Sequence, residues 1–268
     1  MVDMVLESLF PDKSIESKPL DMLLVSMIVT FAAILSSYFV FPKYAGIIMP
    51  LLVAVGMAPL MYRIFQEEEE EIDEVAESKL VMGFFRRHGS TFKLFSLLFL
   101  GGFIVVFLVA VLAPAEFVDS FFKPQMDDIG SVQSLASGAA VQPGVFDAIM
   151  LNNLKVMAFA FLLSFLFGTG AVFILSWNAS ILGIYLANFA RGGLYNQLLM
   201  TTGGMLPHTV SELAAYFLAG IAGGILSVGM VREKWGTPEF KLLFRDSLFL
   251  MCLALAAILV GAVIEVGA

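Results

Sequence analysis

Six polar side chains stand within or beside long apolar runs, and their types and spacing could support chemistry. They are Asn152, Asn153, Asn178, Asn188, His208 and Glu212. A polar or ionisable group inside a bilayer is energetically costly, so such residues are candidates for function. His208 and Glu212 are four residues apart and would share one face of a helix. We take Asn153, Asn178, His208 and Glu212 as the candidate polar intramembrane site.

Two kinds of chemistry suit this site. The first is a proton relay or cation site, in which Glu212 is protonated or paired with His208. The second is structural, because amides can cap helix ends and bond helices together at ~0.6 kcal/mol per pair on average in a membrane. Asn178 would stand at an N-cap position if a helix began there. Glu212 would face lipid headgroups if its part of the helix lay near the membrane surface.

Enzyme signatures are missing from the sequence. There is no His-Glu-x-x-His motif, and two histidines in the whole chain exclude a site built from several histidines. Neither a Gly-x-Ser-x-Gly elbow nor a glycine-rich phosphate loop occurs. We therefore predict a protein that is not an enzyme, with no catalytic residues, no metal and no cofactor. Intramembrane catalysis by His208 and Glu212 is a third, separate hypothesis.

The composition indicates a helical membrane protein. Of the 268 residues, 59% are hydrophobic and only 14% are charged, whereas about 25% are charged in a soluble domain. The net charge of -8 argues against a nucleic-acid partner, which would require a basic face. The lone Cys252 excludes an intrachain disulfide. We predict an all-α polytopic transmembrane bundle whose surrounding partner is the lipid bilayer.

The apolar runs predict about seven membrane helices. The polar pentad Ser176-Trp177-Asn178-Ala179-Ser180 is taken as the break between the fourth and fifth. The fifth is therefore expected to be short, or broken at Gly192-Gly193. Pro207 suits a first turn, so the sixth is expected to start after it. The expected helices cover 22–41, 45–62, 94–113, about 151–175, about 180–200, 208–231 and about 246–265.

Three regions are expected along the chain. Residues 1–63 combine an N-terminal segment, read as retained, with a transmembrane hairpin that looks peripheral. Residues 64–93 suggest a cytoplasmic surface helix with an acidic start. Residues 94–268 form the main bundle, interrupted by an extracytoplasmic linker at 115–150 whose part from Gly130 to Gly144 looks like a loop. Small residues would let the helices of this bundle approach closely, among them Gly183, Gly220 and Gly224.

The basic residues predict the orientation, because they favour the cytoplasmic side. With seven crossings and a cytoplasmic N-terminus, the inner segments hold 11 of the 15 lysines and arginines. The outer segments then hold Lys43, Lys123, Lys155 and Arg191. If the fifth segment only re-entered the membrane, the distribution would be 7 inside against 8 outside. We therefore expect a crossing fifth helix and a C-terminus outside.

The second half of the chain resembles the stage II sporulation protein M family, over about 94–268 and without the hairpin at 22–62. Where the family pattern has Asn-Gly and Pro-His-Gly, this chain has Ala179 and Thr209 in place of the glycines. The motifs that carry the resemblance are Asn152-Asn153, Asn178-Ala-Ser-Ile-Leu-Gly183, and Pro207-His208-Thr209 followed by Glu212 and a Gly/Ala-rich helix ending in Gly229.

The resemblance implies a multi-pass protein of a bacterial or archaeal cell membrane, without known catalysis. It also implies that the matching positions matter for function, namely Asn153, Asn178, Gly183, Pro207, His208 and Glu212. In spore formers the namesake works in a membrane-anchored complex with cell-wall-degrading partners, and those partners cannot be read from this chain.

Two functions compete on these grounds. The first is a non-enzymatic scaffold that acts with protein partners or as a homo-oligomer and helps to remodel or organise the membrane. The second is a transporter or channel in which Asn178, His208 and Glu212 line a cavity beside a broken helix, where transporters commonly place their sites.

Overall fold

The computed structural model describes residues 18–78, 89–137, 145–232 and 236–267. Within these ranges the chain forms nine α-helices and no strand, in agreement with the predicted all-α class. The helices are α1 (Pro19–Val40), α2 (Ala45–Ser78), α3 (Gly89–Leu112), α4 (Ala115–Phe121), α5 (Lys123–Ser137), α6 (Val145–Phe167), α7 (Gly170–Arg191), α8 (Tyr195–Arg232) and α9 (Pro238–Gly267).

Seven of these helices are long and apolar enough to cross a membrane. They are α1, α2, α3, α6, α7, α8 and α9, and their candidate membrane spans are 19 to 37 residues long. About 20 residues suffice to span the hydrocarbon core. The polytopic helical bundle predicted from the composition is therefore confirmed.

The break between the fourth and fifth membrane helices lies at Gly168-Thr169-Gly170, so the predicted break at 176–180 is wrong. Gly168 adopts a positive φ of 71°, which glycine allows without steric penalty. A Cβ on Gly170 would lie 2.2 Å from the backbone of Leu163. The Ser164 hydroxyl accepts a hydrogen bond from the backbone N–H of Ala171 at 2.8 Å, which satisfies one of the free donors in the first turn of α7.

The end of α7 is a Schellman motif built on Gly193. This glycine has a φ of 68°, its N–H bonds the carbonyl of Ala190, and the N–H of Leu194 bonds the carbonyl of Phe189. This pairing satisfies carbonyls that the helix end leaves free. Because α7 runs for 22 residues from Gly170 to Arg191, the fifth membrane helix is not short, whereas the break predicted at Gly192-Gly193 is present as the end of this helix.

The sixth membrane helix, α8, begins at Tyr195 and continues through Pro207 to Arg232. The prediction that it starts after Pro207 is therefore wrong. Proline removes one helical N–H and leaves the carbonyl four residues earlier, at Gly203, without that donor. Neighbouring groups and local adjustments compensate for such a loss in membrane helices, so an internal proline is tolerated.

The acidic segment after the second apolar run extends α2, which continues without a break from Ala45 to Ser78. The first part of the predicted surface helix is thus the end of this long helix. The remainder at 79–88 lies outside the described residues. The division of the chain into three regions stays a prediction.

Two helices, α4 and α5, occupy most of the region predicted as a linker. The expected loop from Gly130 is wrong up to Ser137, because α5 continues to that residue; 138–144 lies outside the described residues. Gln125 is fully buried and donates a hydrogen bond from Nε2 to the carbonyl of Gly46 at 2.8 Å. A Cβ on Gly46 would lie 2.4 Å from the carbonyl oxygen of Phe121. These contacts fix α4 and α5 against the start of α2.

The first two helices belong to the packed core and are not a peripheral addition. The Ser26 hydroxyl of α1 donates to the carbonyl of Leu98 in α3 at 3.1 Å. A Cβ on Gly101 would lie 2.2 Å from that same hydroxyl oxygen, so α1 and α3 approach each other closely. In α2, Met49 and Met57 are buried in the common hydrophobic core. Close packing of this kind favours association of helices where lipid supplies no hydrophobic drive.

Candidate functional site

Helix α8 lies at the centre of the site because its glycines let two neighbours approach it. A Cβ on Gly220 would lie 2.4 Å from the Ala171 side chain of α7. A Cβ on Gly223 would lie 2.3 Å from the carbonyl oxygen of Phe161 in α6. Gly224 is buried as well. The predicted role of small residues in helix packing therefore applies along this stretch of α8.

Helix α9 packs against the other side of α8. The Ser211 hydroxyl donates to the carbonyl of Ala257 at 2.8 Å. A Cβ on Gly261 would lie 3.2 Å from Cγ of Glu212. The absence of a side chain at Gly261 thus leaves room for the Glu212 side chain beside the backbone of α9.

Asn153 bonds α6 to α8 through both ends of its amide group. Its Nδ2 donates to Oε1 of Glu212 at 2.5 Å. The Tyr216 hydroxyl donates to its Oδ1 at 2.8 Å. Asn153 and Tyr216 are 5% and 3% exposed, so neither side chain can rely on water for its hydrogen bonds. These bonds satisfy buried polar groups that would otherwise be costly.

Glu265 of α9 completes the cluster. It stands one turn after Gly261 and therefore on the same face of α9. Its carboxyl group and that of Glu212 lie within hydrogen-bonding reach of each other. Two carboxyl groups can share a hydrogen bond only if one of them carries a proton, because an ionised carboxylate has no hydrogen to donate.

His208 lies one turn before Glu212 on α8, and its imidazole is close enough to Glu265 for an electrostatic interaction. Both α8 side chains therefore lie near the same carboxyl group of α9. The Nδ1 atom of His208 is buried and has no hydrogen-bond partner among the described residues. The predicted shared face of His208 and Glu212 is therefore present in the structure. We call Asn153, His208, Glu212, Tyr216 and Glu265 the polar cluster.

A comparison with the sequence profiles of protein families matches residues 80–267 to Stage II sporulation protein M. The match covers most of the chain and includes α3 to α9. The chain belongs to the stage II sporulation protein M family. Neither a curated protein nor a solved structure matches it. The family assignment inferred from the asparagine and Pro-His motifs is thus confirmed, and α1 and α2 precede the family region.

Three of the six polar residues singled out in the sequence lie outside the polar cluster. Asn178 is half-buried and donates from Nδ2 to the carbonyl of Ile174, one turn earlier in α7, at 2.8 Å. It stands inside a continuous helix, so the expected N-cap position does not exist. Asn152 and Asn188 are exposed. The structure therefore brings Asn153, His208 and Glu212 together, whereas Asn178 is bonded to its own helix.

The two remaining structural positions of the family pattern have different surroundings. A Cβ on Gly183 of α7 would lie 3.1 Å from the Val106 side chain and 3.2 Å from the backbone nitrogen of Phe107 in α3. This glycine therefore sets the approach of α7 to α3. Pro207 is exposed on α8, where it stands inside the helix and not at its beginning.

Sequence reasoning missed Tyr216 and Glu265. Tyr216 is four residues after Glu212, so the same helical spacing that paired His208 with Glu212 could have identified it. Glu265 ends an uncharged run from Ser247 to Ile264. An acidic residue next to such a long apolar run is costly in a bilayer, and this cost could have identified Glu265 as a candidate.

The chemistry of the cluster is hydrogen bonding and proton binding. Its groups include two carboxyls, one imidazole, one phenol and one amide, and they belong to three helices. In the described part of the chain, no group of three or more His, Cys, Asp or Glu residues is arranged to hold a metal ion.

Proposed function

We propose that this family member is a non-enzymatic membrane scaffold, which assembles with protein partners and helps to organise or remodel the membrane. The observation that carries the proposal is the amide of Asn153, which bonds Glu212 and Tyr216 at once. A side chain engaged at both ends between buried helices holds the bundle together. Such a use of polar groups supports a rigid framework better than a path for a solute.

The continuity of α7 adds support, because the transport hypothesis rests on a broken helix beside the polar residues. Asn178, which was expected to line the cavity, is bonded to its own helix at the carbonyl of Ile174. It stands within the unbroken stretch Gly170–Arg191. The main premise for a midplane transport site at Asn178 is therefore lost.

The pair of helices α4 and α5 offers a surface on which a scaffold could hold a partner. Asp128 of α5 accepts a hydrogen bond from Trp177 of α7 at 3.1 Å, and Gln125 bonds the start of α2. Contacts to two membrane helices hold this pair firmly. Glu116, Asp119 and Ser120 of α4 are exposed and remain available to a partner.

Site-specific photo-crosslinking in the source cell tests the scaffold proposal. A photoreactive residue replaces Asp119 or Ser120 on α4, and Phe159 or Leu162 serves as a matched position on the exposed apolar face of α6. We expect discrete protein adducts of defined mass from α4 and mainly lipid adducts from α6. If neither α4 position gives a protein adduct, the proposed partner surface is refuted.

The orientation that we propose has the N-terminus in the cytoplasm and the C-terminus outside, in the cell membrane. It rests on the distribution of lysine and arginine between the two sides. The seven candidate spans in the described residues support this arrangement, because an odd number of crossings puts the two termini on opposite sides of the membrane. In this orientation α4 and α5 lie on the outer side.

Transport remains the alternative because of one observation, the buried Nδ1 atom of His208 without a hydrogen-bond partner beside two carboxyl groups. An imidazole in that position could exchange protons. Proton or cation flux into liposomes that contain the protein tests this function. Flux that is present in the native protein and abolished by Glu212→Gln would favour transport and contradict the scaffold.

A further inference from the structure

We propose that Glu212 and Glu265 form a proton-dependent latch between α8 and α9 at the end of the bundle where α6 begins and α9 ends. One proton shared by the two carboxyl groups holds the end of α9 against the middle of α8. Loss of that proton leaves two negative charges in contact and separates them. The inference concerns the regulation of the bundle and holds whether or not the scaffold proposal is correct.

The geometry of the helix contact supports the latch. Gly261 leaves the Glu212 side chain in contact with the backbone of α9, at 3.2 Å from an added Cβ. Glu265 follows one turn later on the same face, and its carboxyl group reaches that of Glu212. The hydrogen bond from Ser211 to Ala257 lies one turn further along the contact. The latch is therefore the last polar link between these two helices near the end of α9.

The position of Glu265 makes the latch accessible to protons. Eighteen uncharged residues, Ser247 to Ile264, precede it, which corresponds to about 27 Å of helix and nearly the whole hydrocarbon core. Glu265 therefore lies close to the membrane boundary. Both carboxyl side chains are partly exposed, so their proton can exchange with the adjoining aqueous side.

The surrounding charged groups determine the sign of the pH dependence. His208 of α8 faces Glu265, and Tyr216 faces both carboxyls. Helix α6 contributes the uncharged amide of Asn153, while its Lys155 is exposed.

The nearest charges on the other helices lie away from the latch. Arg191 of α7 is bound to carbonyls at the end of α3. Arg63 ends the span of α2 and Lys93 lies near the start of the span of α3. Both of these span ends are on the side of the bundle away from the latch. No charge from these three helices is therefore placed to neutralise a doubly ionised carboxyl pair.

The pair titrates as a unit, since each carboxyl changes the proton affinity of the other. At low pH the pair keeps its shared proton, so the latch is closed. As the pH rises, the shared proton is lost. Repulsion between the two carboxylates then opens the latch.

Two measurements on the full chain in nanodiscs test the latch over roughly pH 3 to 9, a range that includes ordinary carboxyl titration and extends well above it. Infrared spectroscopy follows the C=O stretching band of a protonated carboxylic acid. Spin labels at the exposed Val210 of α8 and Val263 of α9 follow the separation of the helices, in a Cys252→Ser background. We expect the band to disappear and the label distance to lengthen together as the pH rises.

Glu265→Gln is the decisive variant because a glutamine amide can donate to the Glu212 carboxylate at every pH. We expect it to lose the pH-dependent band and to keep the short label distance throughout the range. Glu116→Gln, at an exposed position on α4, should leave both signals as in the native chain. Labels at the exposed Val231 and Phe244, at the other end of the same helix pair, should show no change with pH.

Three outcomes would overturn the proposal. One is a native protein without a titrating carboxylic acid band. Another is a band that titrates while the distance between Val210 and Val263 stays constant. The third is a lengthening of that distance in Glu265→Gln with the same pH dependence as in the native chain.

Discussion

The Tyr216 hydroxyl of α8 donates a hydrogen bond to Oδ1 of Asn153 in α6 at 2.8 Å, and both side chains are buried. The other end of the same amide bonds Glu212. One asparagine thus fastens two helices at two points, and the second point leads on to Glu265 of α9. This relationship determines what we expect from changes in the polar cluster.

Asn153→Ala should lower the free energy of unfolding by about 1–3 kcal/mol. The substitution leaves the buried Tyr216 hydroxyl and the half-buried Glu212 carboxyl without their shared partner. A loss of about 1–3 kcal/mol is usual when a buried polar group loses its partner. Reversible unfolding in mixed micelles measures it. The matched control is Asn152→Ala at the adjacent exposed position, where a change within about 0.5 kcal/mol is expected. Equal losses in both variants would disprove the assigned role of Asn153.

Gly220→Ala should destabilise the bundle by about 1–3 kcal/mol, which is typical of overpacking. The added Cβ would lie 2.4 Å from the Cβ of Ala171, and both atoms are close to their backbones and cannot move aside easily. Gly203→Ala in the same helix is the control, since its Cβ would meet nothing within 4 Å. The control should be neutral or more stable by up to about 1 kcal/mol, because alanine favours helix over glycine. The same unfolding assay compares them, and a harmless Gly220→Ala would show that α7 and α8 are further apart than described.

Arg191→Leu should cost about 0.5–1.5 kcal/mol, because it removes two hydrogen bonds at the end of α3. Nη1 of Arg191 donates to the carbonyls of Ala110 and Ala113 at 2.7 and 3.2 Å. Its positive charge also suits the negative end of that helix. Arg191→Lys keeps the charge and should recover part of the loss. If Arg191→Leu and Arg191→Lys unfold at the same denaturant concentration as the native protein, this cap contributes nothing.

The orientation predicts which introduced cysteines react with an impermeant thiol reagent in intact cells. In a Cys252→Ser background, Asp119→Cys on α4 should be labelled from outside. Lys241→Cys, near the start of α9, should react only after the membrane is opened. Both positions are exposed, so accessibility alone does not separate them. The reverse pattern would place the N-terminus outside.

The sequence was sufficient for the helical class, the number of spans and the family, because each depends on long apolar runs or a spaced motif. It failed at the helix ends for physical reasons. The Gly168-Thr169-Gly170 turn is short enough to leave no polar stretch. In the polar pentad, by contrast, Asn178 and Ser180 donate to carbonyls within α7 and Trp177 donates to Asp128 of α5. Pro207 looked like a helix start, yet a membrane helix can continue through proline.

The polar cluster was only partly predictable from the sequence. His208 and Glu212 were paired by their spacing on one helix. Asn153 was singled out as a polar residue, but its partners on α8 depend on the packing of glycines such as Gly223 against α6. Glu265 lies more than fifty residues from Glu212, and only the antiparallel contact of α8 and α9 brings the two together.

The most direct test of the structural role of the cluster is a double-mutant cycle between Asn153→Ala and Tyr216→Phe. Tyr216→Phe removes only the hydroxyl, so the cycle isolates the hydrogen bond from α8 to α6. In mixed micelles we predict a coupling free energy of about 0.6–1.7 kcal/mol, from the average to the upper end for bonds between membrane helices. A coupling indistinguishable from zero would show that the two residues act independently and would contradict the account of the cluster as a fastening between helices.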